Sequence, residues 1–194
     1  MNIQNIALKA KNTIVNNTVG RVITTAHRKG DLSATSDSFV IRGISKNGKE
    51  GVPKGMEHRY QDVLAIMEKT DKEFKKLIPN IFPKKFYRGT MGDNNECAQI
   101  LRKAKIGDVV VPDNGYSFIT KSKDTALGYA TRCDGKGDET SVFMEILLPS
   151  GSKISKNPFH LREAVMPRCA KYEVAGKKEE NGILRVILRY LPEK

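Results

Sequence analysis

Pro79 and Pro83 divide this chain into two kinds of apolar pattern, and no single secondary-structure class accommodates both. Before them, apolar residues recur three or four apart, the spacing of one helix face. Met56, Tyr60, Leu64, Met67, Phe74 and Leu77 keep to one side of a helix expected over residues 53–77, with Asp71, Lys72, Lys75 and Lys76 on the wet side. Ile6, Ala10 and Ile14 give a shorter helical pattern near the start. Residues 20–51 are rich in Gly, Ser, Thr and Asp and read as a surface excursion, with one short apolar strand at Phe39-Val40-Ile41. The prolines end the helical part by removing donors and fixing the backbone. After them come short strands and turns. Strands are expected at Phe86-Tyr87, at Val109-Val110-Val111 after a Gly107-Asp108 turn, over 116–120 and 141–148, and by alternation over 164–166, 171–175 and 183–190. Short helices are expected from Asn94 or Asn95 to Lys105, and over 123–130 with Ser122 as cap. Helices first and mostly strands afterwards is an α+β order. Neither a repeat nor a clear linker splits the chain, so one domain is expected over residues 1–194, helical over 1–80 and mostly β over 81–194.

The chain has 194 residues and a net charge of +12, from 34 Lys+Arg against 22 Asp+Glu. That length can bury a core without disulfide or metal staples. The charge suits an acidic partner, which could be nucleic acid, a nucleotide, an acidic protein or a membrane surface. Residues 1–80 hold 14 basic and 8 acidic side chains, and residues 81–194 hold 20 and 14. The excess is thus spread evenly, as on a solvated surface, and is not gathered into a polyanion-binding tail. Cys97, Cys133 and Cys169 are too few and too scattered for a disulfide framework, which suits a reducing compartment. His27, His58 and His160 are equally scattered, and no Cys/His pair has zinc spacing, so no metal is expected. No apolar run reaches the length of a membrane span, and the first residues lack a secretory pattern. A cytoplasmic monomer without a membrane partner is the expectation.

Three places carry candidate chemistry. In Phe86-Tyr87-Arg88-Gly89-Thr90 a strand end delivers an arginine, whose fork of donors suits phosphate, beside a glycine that admits a ligand to the backbone. In the run from Gly115 through Tyr116, Ser117, Phe118, Ile119 and Thr120, a strand with hydroxyl residues leads into the Ser122-capped helix, where Ala126, Leu127 and Ala130 can pack against it. In Leu161-Arg162-Glu163-Ala164-Val165-Met166-Pro167 a glutamate opens a short apolar strand, after a stretch at 150–160 without periodicity. Taken singly, these are a surface arginine, a β-to-α junction and a solvated carboxylate.

Together and in this order the three resemble the ADP-ribosyltransferase family, in its Arg–Ser–Glu branch of bacterial toxins, phage enzymes and vertebrate ecto-enzymes. Tyr87-Arg88-Gly89 is similar to the family's aromatic-Arg-Gly strand. Residues 115–130 are similar to its Gly-aromatic, Ser-Thr-Ser and following helix, and Glu163-Ala164-Val165-Met166-Pro167 to its catalytic glutamate with apolar triplet and proline. Residues 143–149 and 171–174 also look like the family's neighbouring strands. The resemblance covers residues 81–194, with a looser fit before them. It implies a split β-sandwich core with a helical N-terminal lobe, NAD as co-substrate and no metal. It implies catalytic roles for Glu163, Arg88 and Ser117, and cofactor contacts from Tyr87, Arg88, Gly89, Tyr116, Ser117, Phe118 and Thr120. Glu163 would stabilise the charge that develops on the ribose as nicotinamide leaves, Arg88 would hold the pyrophosphate, and Ser117 would aim Glu163. Tyr116 or Phe118 would stack on nicotinamide, and His160, Leu161 and Arg162 would meet the acceptor.

Two positions depart from the family pattern. Ser-Thr-Ser is reduced here to Ser117-Phe118-Ile119-Thr120, which leaves Ser117 or Thr120 as the family serine. Two residues before Glu163, where many members carry Glu or Gln, stands Leu161. The resemblance therefore implies transfer of ADP-ribose to a macromolecule, with a host or target-cell protein expected; it does not support the usual arginine-directed activity and leaves the acceptor open. Its alternatives are a nucleic-acid acceptor, water as acceptor, and a basic nucleic-acid-binding module without catalysis.

Overall fold

The computed structural model describes residues 32–92, 96–132, 134–156 and 162–193, with side chains from residue 38 onward in the first helix. The pattern at Ile6, Ala10 and Ile14 and the caps at Asn94 and Asn95 lie outside the described residues. The chain forms two compact units interleaved in sequence, one of 1–78, 114–117 and 153–168, the other of 79–113, 118–152 and 169–194.

The first unit is mainly helical. Its first described helix, α1, is Leu32–Asn47. This overturns the strand expected at Phe39-Val40-Ile41. Val40, Ile41 and Ile44 are buried and Phe39 is 55% exposed, a helical spacing whose packing outweighs the strand preference of β-branched residues. After two short 3-10 turns at Gly48–Gly51 and Glu57–Arg59, α2 spans Tyr60–Lys76. It buries Val63, Met67, Thr70 and Phe74, positions on one face. Leu77 then turns extended ahead of Pro79. Val40, Ile41, Ile44, Val63, Met67, Phe74, Leu77, Tyr116 and Val165 make one core. Each large side chain in it contributes about 1.5–3 kcal/mol by leaving water. Two short strands complete the unit: β5 (Ser155–Lys156) runs antiparallel to β6 (Glu163–Met166), with Ser155 opposite Val165.

The second unit is built on β-structure. Its strands are β1 (Lys84–Thr90), β2 (Val109–Val110), β4 (Val142–Leu148), β7 (Lys171–Glu180) and β8 (Ile183–Leu191), with Phe118 to Thr120 of β3 (Ser117–Thr120). They lie in the order β2-β7-β8-β4-β1-β3. All neighbours are antiparallel except β4 and β8. The expected strand at 171–175 is only the first half of β7. The rest continues to a tight hairpin at Asn181-Gly182, both with positive φ (54° and 76°). Asn-Gly is the pair that such a two-residue turn favours. Two helices belong here, α3 (Glu96–Lys103) and α4 (Lys123–Tyr129). The Lys177 ammonium donates to the carbonyls of Arg102 and Ala104, at 2.6 and 3.0 Å, and so meets the negative C-terminal end of α3. Ser122 caps α4 as expected, its Oγ accepting from the Thr125 amide at 3.2 Å. Helical first part and β-rich remainder together make an α+β fold. Among the described residues no helix is long and apolar enough to cross a membrane, and no cluster of His, Cys, Asp and Glu could hold a metal ion.

Candidate active site

Arg88 comes from β1, where it lies opposite Met144 of β4. Alternation places Phe86 and Arg88 on one face of the strand and Tyr87 and Gly89 on the other. Phe86 is 2% exposed and anchors the strand. The Tyr87 ring stacks on Phe143 with centroids 5.8 Å apart. The Arg88 side chain is 18% exposed and donates from Nη2 to Oδ2 of Asp113 at 2.6 Å, with the Asp113 side chain only 6% exposed. Burial opposes the charge on Arg88, but Asp113, with Cys97 and the hydrogen bond, holds it above the ordinary guanidinium value. Tyr172 is near enough to feel the pair, although burial dominates its own shift and pushes its phenol upward. Asp113 has no distinguishing signal in the sequence. Pro112-Asp113-Asn114-Gly115 reads as an ordinary turn, and only burial of Arg88 calls for a carboxylate there.

Gly89 has a structural task besides any ligand contact. A Cβ at this position would collide with the Ala126 carbonyl oxygen of α4, and would also crowd the Ala130 amide nitrogen. Ala126 and Ala130 are 1% and 0% exposed and share a small core with Phe143 and Ile183. Glycine at 89 and alanines at 126 and 130 thus let α4 close onto β1. Thr120 lies opposite Tyr87 and is nearly buried; its Oγ1 accepts from the Ser122 amide at 3.1 Å, at the entrance to α4. Between the two hydroxyl candidates this gives Thr120 a local structural partner. Phe118, one residue into β3, is 39% exposed.

The remaining described candidates belong to the first unit. Ser117 opens β3 and is 5% exposed. Tyr116 before it is a core residue. Its ring lies parallel to Phe74, with centroids 5.8 Å apart, and its hydroxyl donates to Asp71 Oδ1 at 2.7 Å. Burial first, then the bond to Asp71, pushes the phenol far above its ordinary value. Asp71 also receives Arg168 through Nε at 2.8 Å and Nη2 at 2.7 Å, and Arg168 reaches Ser45 Oγ at 3.3 Å. This Tyr116–Asp71–Arg168 network is invisible in the sequence, because its members are separated by up to 97 residues. Glu163 opens β6 half-buried, and Ala164, Val165 and Met166 after it are buried. Tyr116 and Val165 share the helical core, so the start of β3 and the body of β6 are fixed to the same packed cluster. Arg162 is exposed in a turn. His160 and Leu161 lie outside the described residues.

No protein-family model matches the chain, and no curated protein matches it. Solved structures do. The C3 exoenzyme of Clostridium limosum is 13% identical, with a TM-score of 0.57, over 95% of this chain and 94% of that one. Vis toxin, an ADP-ribosyltransferase from Vibrio splendidus, is 14% identical, with a TM-score of 0.52, over 89% and 85%. A C3 protein from S. aureus, solved with NAD, is 14% identical, with a TM-score of 0.51, over 82% and 88%. At this identity it is the fold that is shared. The chain has the α+β fold of these proteins, as the resemblance of its motifs implied.

Proposed function

We propose that this protein is an NAD-dependent mono-ADP-ribosyltransferase, breaking the nicotinamide–ribose bond and transferring ADP-ribose to a macromolecule, namely a protein in the cytoplasm of a host or target cell. The observation that carries this reading is the fold, shared over 82–95% of the chain with Vis toxin, an ADP-ribosyltransferase, and the two C3 proteins, and bearing Arg88, Ser117 and Glu163 at strand positions.

A diphosphate needs a fixed cation, and Arg88 supplies one. It is charged at every physiological pH, it has five N–H donors, and Asp113 sets its orientation. Departure of nicotinamide leaves positive character on the ribose, as in glycoside hydrolysis. The Glu163 carboxylate stabilises that charge and accepts from a ribose hydroxyl. On this reading the Ser117 hydroxyl, buried at the start of β3, aims the Glu163 carboxylate once NAD is bound. Phe118 has the exposed aromatic face for stacking, whereas Tyr116 is engaged by Phe74 and Asp71 and serves to fix β3. His160, Leu161 and Arg162, immediately before Glu163, meet the acceptor, and Leu161 lacks the carboxylate or amide with which many family members recognise arginine.

Incubation with labelled NAD, mixed protein and nucleic acid, followed by protease or nuclease, tests the reading. Label released by protease is expected. Label released by nuclease moves the acceptor to nucleic acid, which the charge of +12 would favour, and free ADP-ribose alone makes the protein a glycohydrolase. Glu163→Gln is expected to fold normally and to lose about 10²–10³-fold in transfer, the scale of one lost electrostatic stabiliser. Near-wild-type turnover by that variant would remove Glu163 from the chemistry.

A further inference from the structure

Residues 79–83, which lead into β1, hold two large apolar side chains out of the protein. Ile81 and Phe82 are each 73% exposed, more than any other large hydrophobic among the described residues. Single exposed apolar residues are commonplace and turns are ordinarily polar. Here two stand side by side at a bend between Pro79 and Pro83.

The bend is held firmly. The Asn80 amide donates to the Ser152 carbonyl at 2.9 Å, and the Gly151 amide donates to the Asn80 carbonyl at 2.8 Å. Asn80 Nδ2 donates to the carbonyls of Phe82 and Pro149, at 2.6 and 3.2 Å. Ser150 Oγ donates to the Ile81 carbonyl at 2.6 Å. Ser152 beneath is completely buried. The backbone of the bend is therefore tied to residues 149–152, while its two apolar side chains stay 73% exposed. A fixed backbone lowers the entropy lost when those side chains insert elsewhere.

We infer that Ile81 and Phe82 form a prong that inserts into the surface of an anionic lipid membrane. Charge selects this partner. The run Lys75-Lys76-Leu77-Ile78-Pro79-Asn80-Ile81-Phe82-Pro83-Lys84-Lys85 has a lysine pair at each end and no acidic residue. Lys85 pairs with Glu145 at 2.6 Å and Lys76 with Glu73 at 2.8 Å, but the two lysine side chains are 50% and 58% exposed, so both pairs are screened. Apolar side chains flanked by lysines suit the boundary between acyl chains and anionic headgroups. Size points the same way, since two side chains fall far short of the roughly 800 Å² per partner of a stable protein interface. Absence of a spanning segment, the ground for expecting no membrane partner, does not bear on insertion at the interface.

Cosedimentation with phosphatidylcholine vesicles, with and without phosphatidylserine, tests the inference. Binding is expected only with phosphatidylserine, to weaken with salt, and to fall about fivefold for each lysine neutralised near the surface. The paired change Ile81→Ser and Phe82→Ser should cost at least about tenfold in binding. Its melting temperature and its turnover of NAD in solution should match the wild type, which separates this inference from the transferase reading. Because the chain has no tryptophan, Phe82→Trp adds a single fluorescent reporter at the prong. Its emission should shift to the blue on phosphatidylserine vesicles and be quenched by brominated acyl chains. Equal binding to both kinds of vesicle, an unshifted Phe82→Trp emission, or unchanged binding by the paired variant would overturn the proposal. So would loss of self-association in the paired variant in place of loss of lipid binding, which would assign the prong to a second copy of the chain.

Discussion

The Arg88 guanidinium lies 2.6 Å from an Asp113 carboxylate that is itself 6% exposed. A free arginine side chain samples many rotamers, and holding it in one pose costs up to about 2 kcal/mol of side-chain entropy. Asp113 meets that cost before any ligand arrives, so on the proposed reading of Arg88 it is a positioning residue. Asp113→Asn is accordingly expected to raise KM for NAD about tenfold, the worth of one charge-assisted hydrogen bond, with a smaller change in kcat. Asp113→Glu should recover part of the loss. Arg88→Lys should also raise KM, because an ammonium cannot present a bidentate fork. Steady-state kinetics decides the matter: an unchanged KM in Asp113→Asn would reduce that residue to a structural ion pair. The same residue scale shows why Tyr116 is hard to assign from sequence. A tyrosine beside the hydroxyl strand reads equally as a stacking platform or as core, and the Phe74 face and the Asp71 acceptor give it the second role.

The pairing of α4 with β1 depends on small residues at one crossing. Gly89→Ala would drive a methyl group into the Ala126 carbonyl, and neither backbone can retreat without unpacking Ala130 and Phe143. A loss of about 3 kcal/mol or more is expected, read from denaturant unfolding. Ser122→Ala at the cap of the same helix should cost only about 1 kcal/mol. Comparable losses in the two variants would show that the crossing is more yielding than its geometry indicates. The elements also divide by how well their sequence announces them. β4 could be read directly, and so could the body of α2, whose burial follows its apolar period, but residues 53–59, expected in the same helix, form turns ahead of Tyr60. α1 could not, because its apolar stripe of Val40, Ile41 and Ile44 is short and β-branched, and only the facing Val63 and Met67 make it worth burying as a helix. The far half of β7 is Lys177, Lys178, Glu179 and Glu180, with no apolar alternation. The sequence signal for this half is the Asn181-Gly182 pair, which marks the turn where the strand ends.

Across the whole molecule, stability should be limited by acid on one side and alkali on the other. Hydrogen bonds from Thr140 and then Arg132 hold Asp138 well below the usual carboxylate range, and Lys178 lowers Glu180. A carboxylate with a lowered folded value stabilises above its unfolded value, and this is lost as pH falls. Burial pushes the phenols of Tyr116 and Tyr172 up strongly and that of Tyr190 to about 12. A phenol raised on folding stabilises fully below its unfolded value, near 10, and this is lost as pH rises beyond it. Melting temperature should therefore be flat between about pH 5 and pH 9 and fall on both sides. Asp138→Asn should flatten the acid limb, and Tyr190→Phe should soften the alkaline one. Limbs identical to wild type in these variants would place the titrating groups elsewhere.

By itself the sequence determined the α+β order, the period of the long elements, the cap of α4, and three motifs whose order points to one chemistry. Each of these rests on neighbours within a few residues, where helix and strand periods and capping hydrogen bonds are decided. Only the tertiary structure decided that residues 38–47 are helical, that Asp113 holds Arg88, that Gly89 makes room for α4, that Tyr116 belongs to a core, and that Ile81 and Phe82 face outward. These depend on groups far apart along the chain, whose burial and pairing exist only once the elements have packed.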